Sequence, residues 1–247
     1  MELVNLANVG KSFGQVRAVD GLSLSLSQGE ILGFLGTNGA GKTTTIKMLL
    51  GLIAPDSGSV SVLGADPRLP STRSRIGYMP ETAYYYPYLN VQELLQFYGG
   101  LCGMDRDVIK KRTGELLAKV GLEHAGRRLL KTYSKGMLQR AGIAQALLHD
   151  PDLLILDEPL TGLDPLARIH FRDLILDLKK AGKTVFFSSH ELSEAELICD
   201  RVAIMKEGKC VFGGSVKSIV GDGGQNLERI FLSVLENAET GAKGGVA

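Results

Sequence analysis

The apolar run Ile31-Leu32-Gly33-Phe34-Leu35 leads straight into Gly36-Thr37-Asn38-Gly39-Ala40-Gly41-Lys42-Thr43-Thr44, and no other feature restricts the fold of this chain so severely. An unbroken apolar run of that length suits a strand buried on both faces of a parallel sheet. The segment after it obeys G-x4-G-K-[ST], and a helical pattern follows from about Lys42 to Leu50, closed by Gly51. Strand, glycine-rich loop and helix in that order let successive backbone N–H groups curl inward on a phosphate, with the positive end of the helix behind them. Lys42 is then placed to reach the β- and γ-phosphates, and the Thr43 hydroxyl to serve Mg²⁺. A chance glycine turn would have to reproduce the whole pattern by accident. Nucleotide binding through Gly36 to Thr44 is the expectation.

The rest of the chain alternates in a way that supports an α/β fold. Leu22, Leu24 and Leu26 are separated by serines, a period of two, and Gly58 to Leu63 has the pattern of another half-buried strand. Residues from about 82 to 150 change to helical spacing. Asn90 followed by Glu93 marks a helix start, with Val91, Leu94, Leu95 and Tyr98 on one face. A second helix is predicted over Val108 to Val120, ended by Gly121. A third begins near Ser134, with Met137, Ala141, Ala144 and Leu148 in phase. Strands and helices then alternate again: Leu153 to Leu156, Pro165 to Lys180, Thr184 to Ser188, Glu191 to Ile198, Val202 to Met205 and Cys210 to Phe212. Such alternation implies a parallel sheet with right-handed crossovers. Gly221 to Gly224 reads as a flexible break, Leu227 to Leu235 as an amphipathic segment, and the tail as disordered.

Composition excludes several classes. Lys plus Arg number 28 against 27 Asp plus Glu in 247 residues, which argues against a surface built wholly for nucleic acid. Cys102, Cys199 and Cys210 form no CxxC pair, so neither a disulfide scaffold nor a zinc site is expected. The first residues lack the pattern of a secretory leader, and no apolar window is long enough for a membrane helix.

Leu153-Leu154-Ile155-Leu156 delivers Asp157 and Glu158 at a strand end. Ligands of open α/β sheets collect at that edge. Asp157 there can hold Mg²⁺, and Glu158 can polarise a water for attack on a γ-phosphate. The competing reading is an acidic helix start, since Pro159 follows. The glycine loop upstream favours the first.

Tyr133-Ser134-Lys135-Gly136-Met137-Leu138-Gln139-Arg140 resembles the LSGGQ signature of the ATP-binding-cassette (ABC) ATPases and lies just upstream of the acidic strand, as in that family. Tyr133 replaces Leu, Lys135 the first Gly and Met137 the first Gln. Ser134 and Gly136 remain, and Ser134 doubles as an N-cap. Phe13 stands where the family has an aromatic that stacks on adenine, with Ala18 nearby; a core Phe is the ordinary alternative. Gly162-Leu163-Asp164 resembles the D-loop, and Ser189-His190 the switch histidine at a strand end. Glu81 stands where most members carry a glutamine that reaches Mg²⁺ and the attacking water; a glutamate there can also coordinate through oxygen.

The resemblance covers about residues 2 to 220. It implies a P-loop NTPase (RecA-like) parallel-sheet core, an N-terminal antiparallel β subdomain and an inserted α-helical subdomain at about 82 to 150, with residues 221 to 247 outside the cassette. It implies ATP and Mg²⁺ as ligands, catalysis by Glu158, His190 and Lys42, and metal contacts from Thr43, Glu81 and Asp157. Ser134, Lys135, Gly136 and Asp164 then act in trans, across a head-to-tail homodimer or a dimer with a paralogous subunit. Integral membrane subunits encoded separately are the implied partners, the location cytoplasmic and peripheral on the inner face of the cell membrane. Glu81 and the segment Leu227-Glu228-Arg229-Ile230-Phe231-Leu232 resemble the exporter branch that includes drug, sodium, copper-processing and gliding-motility ATPases. Tyr84-Tyr85-Tyr86-Pro87-Tyr88 falls where the family receives a short helix of a membrane subunit; each tyrosine either faces that partner or packs on its own domain. A soluble ABC ATPase acting on ribosomes or DNA is the alternative, against which stand the single cassette and the absence of a long heptad run.

Overall fold

The computed structural model describes residues 1–82, 84–221 and 226–233. Two sheets organise it. Strands β1 (Glu2–Phe13), β2 (Val16–Ser27) and β4 (Ser57–Val62) form an antiparallel sheet in the order β2-β1-β4. Strands β3 (Ile31–Gly36), β5 (Ile76–Met79), β6 (Leu153–Asp157), β7 (Thr184–Ser189), β8 (Arg201–Lys206) and β9 (Lys209–Ser215) form the second, in the order β5-β6-β7-β3-β8-β9.

Side chains alternate between the two faces of a strand, and here both faces are covered. Leu32, Phe34, Leu153, Ile155 and Phe186 point toward the antiparallel sheet. They pack there with Val4, Leu6 and Leu26 and with Ile46 and Leu49 of α1 (Lys42–Leu49). Ile31, Leu35, Leu154, Leu156, Val185 and Phe187 face the other way, into a core shared with the remaining helices. The central strands therefore read as continuous apolar runs because neither face meets water.

Between β5 and β6 the chain forms α3 (Val91–Leu101), α4 (Arg106–Lys119) and α5 (Lys135–Leu147), after the single turn α2 (Pro70–Arg73). The Asn90 signal is realised as a full capping box: its side chain accepts from Glu93 N at 3.0 Å, and the Glu93 carboxylate accepts from Asn90 N at 2.8 Å. Asp105 and Ser134 cap α4 and α5. After β6 come α6 (Pro165–Lys180), α7 (Leu192–Ile198) and α8 (Val216–Gly221), and residues 227–233 are helical. The Leu227 to Leu235 segment is thus described as far as residue 233; its end, most of the Gly221 to Gly224 break and the tail lie outside the described residues.

One strand departs from the parallel pattern expected. β9 pairs antiparallel with β8, Lys206 opposite Lys209. The turn between them is Glu207-Gly208, with φ of 48° and 81°. Two consecutive residues in the left-handed region make the tight hairpin whose twist matches its strands. A two-residue link is too short for a crossover, so the chain has to reverse. Among the described residues, no helix is long and apolar enough to cross a membrane.

Candidate nucleotide site

The strand order brings the chemistry together. β6, β7 and β3 are neighbours, and in parallel register Asp157 lies opposite Ser188 and Leu35 opposite Ser189. The glycine loop leaves β3, Asp157 and Glu158 end β6, and His190 follows β7. Residues far apart in sequence thus meet at one sheet edge.

A cavity of about 610 Å³ opens there. It is lined by Thr37, Asn38, Gly39, Gly41, Lys42, Thr43 and Thr44 of the loop and first helix, by Val16, Arg17 and Ala18 of β2, and by Glu81, Glu158 and Glu207, with Lys42 and Glu158 buried and Glu81 exposed. Gly36 and Ala40 shape the loop from behind. At Gly41, φ is 106° and an added Cβ would collide with the Ala18 carbonyl oxygen, so only glycine lets the loop pass the β2 strand. Phe13 is not a core residue: half exposed at the β1–β2 turn, its ring centroid lies 5.7 Å from the Lys11 ammonium.

Lys42 is buried, its ammonium donating to Gly36 O at 2.7 Å and Thr37 O at 3.3 Å. It also lies 3.1 Å from Glu158 Oε1. The other oxygen of Glu158 is 2.8 Å from His190 Nδ1 and accepts from the Thr161 hydroxyl at 3.4 Å. Glu158 has φ 49°, rare for a non-glycine residue, and the structure keeps it by fixing both ends of the residue. Its N–H donates to Ser188 Oγ at 3.0 Å, while its carboxylate is held by Lys42 and His190.

Ser188 Oγ donates to Asp157 Oδ1 at 2.6 Å. The other oxygen, Oδ2, accepts from Thr43 Oγ1 at 3.5 Å. Burial holds the Asp157 carboxyl above the usual carboxylate range; Ser188 opposes this, the charges of Glu158 and Glu81 add to it, and Lys42 opposes it. A carboxylate made costly by burial and like charge is relieved by a cation. The Thr43 hydroxyl and Asp157 are hard oxygen donors in contact beside the phosphate loop, and Glu81 is near enough for its charge to act on Asp157. This donor set fits Mg²⁺, which takes one or two carboxylates and completes its shell with phosphate and water.

Ser134, Lys135, Gly136 and Asp164 stand outside this cavity. Ser134 caps α5, accepting from Met137 N at 3.3 Å, and Asp164 caps α6, accepting from Ala167 N at 2.9 Å. The two segments touch: the Lys135 side chain lies over Gly162, and a Cβ at Gly136 would meet Leu163 Cδ2 at 3.3 Å. The tyrosine run divides by direction. Tyr84, Tyr86 and Tyr88 are exposed, whereas Tyr85 turns inward toward Gly142 and burial pushes its hydroxyl pKa up.

Sequence reasoning did not single out Ser188, Thr161, Arg17 or Glu207. Ser188 had a signal, a hydroxyl in an otherwise apolar strand directly opposite an acidic one. Glu207 reaches the cavity only because β9 folds back, which the alternation of elements did not show.

A mixed six-stranded sheet with this loop leaving a central strand and two acids ending the next strand but one defines a P-loop nucleotide-binding protein of the α/β class. The family model described as "ABC transporter" matches residues 19–161, and the chain belongs to that family. It is 48% identical over 209 residues to an uncharacterized ABC transporter ATP-binding protein of Nostoc sp. PCC 7120, covering 84% of this chain and 62% of that relative. It thus spans less than two thirds of that protein's length. The linearmycin resistance ATP-binding protein of Bacillus subtilis is 36% identical over 239 residues, 96% of this chain and 77% of the relative. Among solved structures, the ATP-binding subunit of an ABC transporter superposes with a TM-score of 0.86 at 29% identity, over 94% of this chain and 99% of the other.

Proposed function

We propose that the chain hydrolyses ATP as a head-to-tail dimer around two Mg-ATP, and that the closing and opening of that dimer drives export through separately encoded membrane subunits. The observation that carries the reading is the contact chain Lys42–Glu158–His190 at the mouth of the phosphate loop. An entering γ-phosphate competes for the Lys42 ammonium and draws it off Glu158. That frees Glu158 Oε1 to accept the proton of a water attacking phosphorus, while His190 keeps the carboxylate oriented. Thr43 and Asp157, with Glu81, would hold Mg²⁺, which when bound would supply positive charge beside the phosphates. Ser134 and Gly136 at the start of α5 supply a second helix N-terminus to the nucleotide of the partner protomer, an attraction present only when the dimer is closed.

The name of the linearmycin resistance relative supports outward transport, since resistance conferred by a transport ATPase is met by removing the compound. Tyr84, Tyr86 and Tyr88 are exposed, and such rigid amphipathic side chains suit contact with a membrane subunit; that contact is the support for the proposed location at the inner face of the membrane. Of the tyrosines, Tyr88 suits a crosslinker and Tyr85 does not.

Glu158→Gln should abolish turnover while nucleotide binding and dimerisation persist, read by phosphate release, calorimetry and light scattering. Wild-type turnover in this variant removes Glu158 from its role. Affinity purification from detergent-solubilised native membranes tests the transport arm. A stoichiometric polytopic partner supports it, and recovery with ribosomes or DNA alone replaces it with the soluble reading.

A further inference from the structure

We infer that Arg168 is a positioning residue for His190, clamping the loop after β7 to the Gly162–Asp164 segment, so that movement of one is passed to the other. This rests on the reading of His190 and Glu158 given above. His190 is itself poorly secured: its side chain is about half exposed, and among the described residues its polar contact is with Glu158. Its place is therefore set by the backbone on either side of it.

On the near side, Ser189 is buried in β7, and its hydroxyl accepts from Glu191 N at 2.9 Å. On the far side, Glu191 occupies the N-cap position of α7, yet its side chain makes no cap hydrogen bond. The carboxylate is given instead to the Arg168 guanidinium, Nη1 pairing with Oε2 and Nη2 with Oε1 at 2.9 Å. The pair is partly shielded, with side-chain exposures of 30% and 19%. A planar bidentate pair fixes direction as well as distance, which a lysine cannot reproduce.

The same guanidinium has a third bond. Its Nε donates to Leu163 O at 3.1 Å, one residue before the Asp164 that caps α6. Arg168 thus spends three donors on two loops: the carbonyl next to Asp164 and the carboxylate next to His190. Displacing the Gly162–Asp164 segment, as closure against a second protomer would, pulls on Glu191 and hence on the residue touching Glu158.

The structure supplies its own control. One turn further along α6, Arg172 Nη2 donates to Glu194 at 3.1 Å, linking the same two helices with comparable burial and touching neither loop. If these pairs merely hold α6 to α7, losing either has the same effect.

The experiment is steady-state ATP hydrolysis by the purified full chain. It compares wild type, Arg168→Ala, Arg168→Lys, Glu191→Gln, the exchange Arg168→Glu with Glu191→Arg, and the control Arg172→Ala. Expected is a fall in kcat of about 10-fold or more for Arg168→Ala and Glu191→Gln with KM for ATP unchanged, the size that loss of orientation at a reacting group produces. Arg168→Lys falls between, the exchange recovers part of kcat, and Arg172→Ala keeps kcat. Glu191→Gln, nearly isosteric, carries the test if Arg168→Ala does not fold. Unchanged kcat in both Arg168→Ala and Glu191→Gln overturns the inference, as does an equal fall in Arg172→Ala. A wild-type chain that turns over no ATP, or a Glu158→Gln variant as active as wild type, removes the underlying reading, and this inference falls with it.

Discussion

Replacing Ser188 by alanine removes a single oxygen atom with two separate duties. The residue is fully buried; its hydroxyl donates to Asp157 at 2.6 Å and accepts from the Glu158 N–H at 3.0 Å. A hydrogen bond to a charged group contributes about 1.5–3 kcal/mol, and a buried donor left without an acceptor costs about 1–3 kcal/mol. The two share one atom and do not add in full, so Ser188→Ala should lose about 2–5 kcal/mol. For a chain of this length each kcal/mol shifts Tm by about 2–4 °C, which gives a drop of about 4–20 °C. Thermal unfolding followed by circular dichroism, with urea titration beside it, reads the loss directly. A second arm separates the two duties: in an Asp157→Ala background the acceptor of the Ser188 hydroxyl is already gone, and Ser188→Ala should cost about 1–3 kcal/mol, the orphaned Glu158 N–H alone. A loss below about 1 kcal/mol in the wild-type background, outside the range expected for these two contacts, would refute the reasoning.

Lys42→Ala should weaken ATP binding and also destabilise the protein itself, by about 3–5 kcal/mol, because it strips a buried carboxylate of its cation. Adding Glu158→Gln should restore part of that stability, and urea unfolding of the single and double variants checks it. Asp157 gives a pH dependence of defined sign. Burial holds its folded pKa above the usual carboxylate range, so its contribution to stability is greatest below that range and is lost as pH rises through the folded pKa. Asp157→Asn should therefore raise Tm near neutrality, with the advantage vanishing on acidification. A gap that widened toward acid pH would reverse the argument.

Much of this arrangement is written in local pattern. The strand–loop–helix around Lys42, the Asn90 capping box and helix α6 from Pro165 to Lys180 form as their sequences predict, since each depends on residues within a few positions. The α/β class and family follow from such segments taken in order. What was not legible depends on partners distant in sequence. Nothing local in Lys209 to Ser215 distinguishes an antiparallel edge from another parallel strand. The two-residue turn decides it, and its φ values exist only in the folded hairpin. The tyrosine run shows the same limit: four identical side chains, three turned outward and one inward, sorted by the fit of Tyr85 against Gly142 rather than by composition. The pairing of Arg168 with Glu191 was equally invisible, because each residue taken alone reads as an ordinary surface charge.

The Glu207-Gly208 turn has a consequence for the order in which function arises during synthesis. Gly208 N donates to Ala40 O inside the phosphate loop, and Gly208 O accepts from Asp20 N on β2. A late hairpin therefore ties the two walls of the cavity together. β3, from which the loop departs, has β7 on one side and β8 on the other, both made long after it. A ribosome that has translated the complete glycine motif has made a sequence and not yet a receptor. The cavity described above is complete only once residues near 208 have left the exit tunnel and folded back against Ala40 and Asp20.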